Sequence, residues 1–172
     1  MAKIYLCGRI LLSSCLTACG MLLSSCSSPK TEFFLLQPQH PLPEIQTLPT
    51  GKAVGIGPVN LASYLERPHL VFEIAPHEMY ASTSQRWAGQ LDDNICNVLS
   101  TEVAYHLNSS SVRTYPWASD KGLTQQVSIQ IQTFHGNAEG DVTLEAEYTI
   151  YQLPSRQVKR IKRWSGMESL EK

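Results

Sequence analysis

The chain has 172 residues, 42% hydrophobic and 17% charged, with 14 Lys and Arg against 15 Asp and Glu and a formal net charge of −1. That length holds one domain with a real core and is too short for two comfortable ones. The charge balance lacks the basic field that a nucleic-acid binder needs, so no nucleic acid is expected as a partner.

The first element reads as an export signal. Lys3 and Arg9 form a positive n-region, and Ile10 to Leu23 form a mostly apolar h-region. Ser, Thr and Gly interrupt it, and it is too short for a convincing membrane span. It ends in Leu23-Ser24-Ser25-Cys26, the pattern cleaved by the bacterial lipoprotein-processing peptidase. Small residues before the cysteine fit a tight peptidase groove, and the thiol takes the diacylglyceryl group. One acyl chain anchors marginally, and two or more hold. Leu16-Thr17-Ala18-Cys19 fits the same pattern, so Cys19 is the alternative to Cys26. Cys15 would leave too short an apolar run. A non-lipidated signal or a buried N-terminal helix is the competing reading. Ser27, not Asp, follows the anchor, which in Gram-negative envelopes allows sorting to the outer membrane. The expected organisation is a signal peptide over 1–25, then the lipidated Cys26, tether, first strand and Pro-rich linker over 26–52. The rest of a single periplasmic domain follows over 53–172. Processing at Cys26 leaves Cys96 as the remaining thiol, which its helical setting marks as a small buried core residue.

In the mature chain, Glu32 to Leu36 reads as a strand. Pro38, Pro41, Pro43 and Pro49 then exclude regular structure. Ala53 to Leu61 is the next strand. Its Gly55 and Gly57 form no phosphate cradle, because no third glycine, following helix or lysine completes one. They read as a close backbone approach or a bulge. Leu61 to Arg67 contains one helical turn, ended before Pro68. Leu70 to Ile74 is a strand, and Glu78 to Tyr80 is its return.

Trp87, Leu91, Ile95, Val98, Leu99 and Val103 recur at helical spacing. They predict one long helix over Ser84–Leu107, capped by Ser82 or Ser84 with Gln85 in capping-box position. Val112 to Tyr115 is a short strand. Gln126 to Phe134 and Asp141 to Tyr151 alternate apolar and polar residues, and Val158 to Ser165 completes a meander. The fold class expected is α/β (α+β-like): a two-layer sandwich in which a mixed or antiparallel sheet with one wet face carries the long helix on its dry face. A sheet of this size under one helix leaves apolar surface to be covered.

The chain is similar to the auxiliary lipoprotein of lipid-transport ABC systems, of the paraquat-inducible-operon type. The resemblance rests on a lipobox cysteine with a polar spacer, then Phe33-Phe34-Leu35-Leu36-Gln37-Pro38 and the segment from Gly57 to Pro68. Arg86-Trp87-Ala88, Leu91 to Ile95 and Val112-Arg113-Thr114-Tyr115-Pro116-Trp117 follow in order. It implies an accessory subunit in the periplasm, anchored in the outer membrane through a lipid. The partner implied is the MCE-domain protein of a system that moves phospholipids or other hydrophobic molecules between membranes. The resemblance also implies a homo-oligomeric ring and a second long helix after the meander. Because the sequence stops at Lys172, that C-terminal helix is expected to be absent.

Catalytic chemistry is not expected. There is no G-x-S-x-G elbow. His40, His69, His77, His106 and His135 are scattered, with no H-E-x-x-H and no paired ligand spacing, so neither a metal site nor a cofactor beyond the covalent lipid is expected. Asp92 and Asp93 read as a solvated helix surface. Lys159, Arg160, Lys162 and Arg163 form a basic cluster. It is either a solvated strand edge or a contact for an acidic partner or lipid headgroups. Tyr64, Leu65, Arg67, Trp87, Tyr115 and Trp117 gather near turns. They either pack the core or form a docking patch, where Trp, Tyr and Arg are favoured.

Overall fold

The computed structural model describes residues 29–43 and 53–169. The chain divides into two compact units, Met1–Lys30 and Thr31–Lys172, and every element named here lies in the second. The signal peptide, Cys19, Cys26 and the linker over 44–52 lie outside the described residues.

Among the described residues, eight strands form one mixed sheet: β1 (Glu32–Phe34), β2 (Ala53–Leu61), β3 (His69–Ala75), β4 (Glu78–Trp87), β5 (Val112–Thr114), β6 (Leu123–Asn137), β7 (Asp141–Gln152) and β8 (Gln157–Ser169). A single α-helix, α1 (Leu91–His106), lies among the described residues. The sheet order is β1-β4-β3-β6-β2-β5, with β7 on the other edge of β6 and β8 beyond it. The spine is β6. One edge takes β2 in parallel from Ala53↔Leu123 to Leu61↔Ile131. Further along, that edge takes β3, also parallel, at Phe72↔Gly136. The opposite edge takes β7 antiparallel from Gln125↔Gln152 to Gly136↔Val142. The α/β two-layer class expected from the alternation is the one observed.

The meander follows from a period of two. Val127, Ile129 and Ile131 share a face with Ile150, Tyr148 and Ala146 across the β6–β7 ladder, and their polar neighbours turn to the other side. On the dry face, Ile56, Val59, Leu65, Leu91, Ile95, Cys96, Ile129 and Ile131 form the main core. Fully burying an aliphatic side chain such as Ile56 or Leu91 contributes about 1.5–3 kcal/mol. The buried hydroxyl of Ser100 is satisfied by donating to the Cys96 carbonyl at 2.7 Å.

Two expectations are corrected. The helix does not begin at Ser84. Residues 84–87 continue β4, and α1 starts at Leu91 behind Gln90, with no side-chain cap. The backbone of this stretch is claimed on both sides. Arg86 pairs with His69 of β3, and Gln85, Arg86 and Trp87 pair with Glu32, Phe33 and Phe34 of β1. Sheet pairing outweighs the helical spacing of Trp87, which ends a strand and sits outside the helical stripe. The Ser82–Gln85 bond exists, with Ser82 Oγ accepting the Gln85 N–H at 3.0 Å. It lies within the strand, the local competition with regular pairing that Ser side chains offer.

The reading of Gly55 and Gly57 as close approaches holds. A Cβ on Gly55 would lie 2.8 Å from the Trp117 ring. At Gly57, φ is +114° and a Cβ would lie 2.5 Å from that of Tyr115, so only glycine fits. The β2–β6 register shifts between Ile56 and Val59, as a bulge requires.

Candidate functional site

The helix packs over β2 and β5, so it covers only part of the dry face. Beside it an open apolar groove of about 860 Å³ runs over the meander. Its floor is β6 and β7, with Ile129, Leu144, Ala146 and Tyr148, and one wall is Val98, Leu99 and Val103 of α1. Trp164 of β8 borders it, and the side chains on its lining that carry a polar group are those of Gln39, Tyr148, Trp164 and Glu168. This is the uncovered surface expected of a wide sheet under one helix. Its volume lies in the range of small-molecule sites.

The outer strand β8 is exposed along nearly its whole length. Among the described residues it pairs only with β7. The cross-strand register splits the basic cluster. Arg160 and Lys162 stand opposite Ile150 and Tyr148, on the groove side, together with Trp164 opposite Ala146. Arg163 stands opposite Glu147 on the other face and bonds its carboxylate at 3.1 Å, an exposed pair worth about 0–1 kcal/mol. Lys159 falls at the register shift between Ile150 and Tyr151. Basic residues on an open strand discourage sheet-to-sheet pairing.

The six aromatic-group residues separate into groups. Leu65 is 3% exposed and belongs to the core, so it offers no docking surface. Tyr64 is half-buried; its hydroxyl accepts the Phe134 N–H at 3.1 Å and bonds His135 Nδ1 at 3.1 Å. Burial, with the charge of Glu145, pushes its phenol up. Trp87 stacks on Phe134 with ring centroids 5.8 Å apart. Both residues therefore brace the core around Phe134. Tyr115 is exposed and meets Trp117 edge-on at 5.3 Å, while Trp117 packs on Ala53, Leu123 and Leu153. Arg67 is exposed on a separate cleft of about 370 Å³ that Asp92 also lines. Tyr115 and Arg67 are the members of the set that present surface.

The histidines scattered in sequence are partly gathered by the fold. Glu102 of α1 binds the segment after β1 through both oxygens. Its Oε1 accepts the Gln39 and His40 N–H groups at 2.6 and 3.1 Å. Its Oε2 lies 2.7 Å from His40 Nδ1 and 3.9 Å from His106 Nε2. The His40 hydrogen bond is the first cause holding the Glu102 carboxyl below its ordinary value. His40 also stacks on Tyr105 at 4.0 Å. Elsewhere, His69 Nδ1 bonds the Ser82 carbonyl at 2.7 Å, and His135 lies 3.6 Å from Glu73. No described helix is long and apolar enough to cross a membrane.

The model of the ABC-type transport auxiliary lipoprotein component matches residues 34–172. The chain belongs to that family. Two solved structures share the fold of this auxiliary component. One, a crystal structure of an uncharacterized protein, is 18% identical with a TM-score of 0.66, over 84% of this chain and 83% of that one. The other, of a protein from Xanthomonas campestris, is 11% identical with a TM-score of 0.64, over 80% and 77%. No curated protein matches the sequence.

For an auxiliary lipoprotein, the groove is the feature that sequence reading located only in outline. Alternation showed an apolar face on β6 and β7, but not where the helix would lie across it. The Glu102 cluster had one local signal, a Glu and a His four residues apart on one helix face. His40, more than sixty positions away, had none.

Proposed function

We propose that this auxiliary lipoprotein is the adaptor subunit of an MCE-type ABC system for intermembrane lipid transport. Cys26 carries the acyl anchor, with Cys19 as the alternative, and holds the domain at the periplasmic face of the outer membrane. The domain docks on the MCE-domain protein of the same system and can assemble as a ring. The single observation that carries this reading is the family match over residues 34–172. It is supported by Leu23-Ser24-Ser25-Cys26 ahead of a polar tether, and by an exposed outer strand with Arg160, Lys162 and Trp164 on one face. The role assigned is binding rather than catalysis. Crosslinking in intact envelopes followed by pull-down of this chain recovers the MCE component. Recovery of the processed, membrane-retained chain without it overturns the adaptor role.

The open groove favours a second reading, a stand-alone lipoprotein that holds a lipid or cell-envelope ligand. Its lining is the kind of surface that takes an acyl chain. On that reading the chain is monomeric and yields extractable lipid.

A further inference from the structure

The geometry points to a divalent transition-metal site formed by His40, Glu102 and His106, which would clamp the segment after β1 to the C-terminal half of α1. One ligand atom from each residue lies within 4.8 Å of the other two. Two imidazoles and a carboxylate form a donor set suited to Zn²⁺, with a fourth position left for water.

The support around the site is that of a ligand rather than of a passing contact. Oε1 of Glu102 is anchored by two backbone N–H groups, from Gln39 and His40. That leaves Oε2 turned toward both imidazoles. Outer hydrogen bonds of this kind orient metal ligands and tune them. The His40 ring is set by its stack on Tyr105 at 4.0 Å. Glu102 and His106 share a helix face at i,i+4.

The two separations from Glu102 Oε2 need little change, and the two imidazole nitrogens lie within 4.8 Å of each other. Tetrahedral zinc with bonds of about 2.0–2.1 Å separates its ligand atoms by about 3.3 Å. His40 Nδ1 and Glu102 Oε2, now 2.7 Å apart, open slightly, and His106 Nε2, now 3.9 Å from the same oxygen, closes slightly. His106 is 68% exposed, so its imidazole is free to turn. Zinc takes the place of any proton shared by His40 and Glu102, because both must bind the metal deprotonated.

The test titrates Zn²⁺ alone into the untagged full chain in detergent, against a chromogenic chelator. The expected result is one equivalent bound, a rise in Tm, and slower amide exchange at Gln39 and His40. His106→Ala leaves the His40–Glu102 bond and both backbone contacts intact, so a purely structural latch survives it. It weakens zinc binding at least about tenfold and abolishes the rise in Tm. Glu102→Gln does the same, while His77→Ala changes neither. No zinc uptake by the parent chain, or unchanged affinity in His106→Ala, overturns the site.

Discussion

Cys96 directs its thiol at the Ile56 carbonyl, 3.2 Å away, and is 3% exposed. Burial pushes the thiol up, and the charges of Asp93 and Asp92 add to that, against hydrogen bonds that oppose it. The thiolate is the reactive form, so the folded chain keeps this cysteine inert. Iodoacetamide at pH 8 is expected to label Cys96 about tenfold or more slowly in the native chain than in denaturant, read by peptide mass spectrometry. The sign of the pH effect follows from the raised value. The unfolded thiol, titrating near about 8.5, loses its proton first. Stability therefore falls as the pH rises through that range, and urea midpoints show a slope that Cys96→Ala removes. Composition and helical setting were enough to place this residue in the core. Its partner, Ile56, lies forty positions upstream and could not be named from spacing.

At the scale of elements, α1 holds more than its own stripe. Its Asn94 side chain accepts the Leu36 N–H at 2.8 Å and donates to the Leu36 carbonyl at 3.1 Å, extending the order of β1 beyond Phe34. Asn94→Ala is expected to cost about 1–3 kcal/mol, since both Leu36 groups lose their partner. Urea denaturation measures it, and amide exchange at Leu36 quickens. The element most misjudged from sequence is the start of α1. Local spacing made Trp87 a helical residue, whereas pairing with β1 and β3 made it the end of a strand. Such pairing depends on chain segments far away, so no window around Trp87 contains it. The meander was legible because the alternation of β6 and of β7 is complete within each strand, and its boundaries moved by only a few residues.

Across the whole molecule, the decisive feature is the offset of α1 toward β2 and β5, which leaves β6 to β8 with an apolar face beside it. A fluorescent fatty acid is expected to bind this groove. Ala146→Arg, on its floor, weakens that binding about tenfold or more. Thr149→Arg leaves it unchanged, because neighbours along a strand face opposite sides. Titration by fluorescence checks both. Equal binding by the two variants places the probe elsewhere and removes the support for a ligand in the groove.

The amino-acid order alone determined what is periodic or contiguous: the alternating strands, the amphipathic helix, the cysteine that follows small residues at the end of an apolar run. These depend on the geometry of one element or one short recognition segment. The tertiary structure decided which strands are neighbours, where the helix lies across the sheet, and that His40 meets Glu102 and His106. Those outcomes are set by pairing registers and packing between distant segments, where the gain from contact competes with the entropy of bringing the segments together.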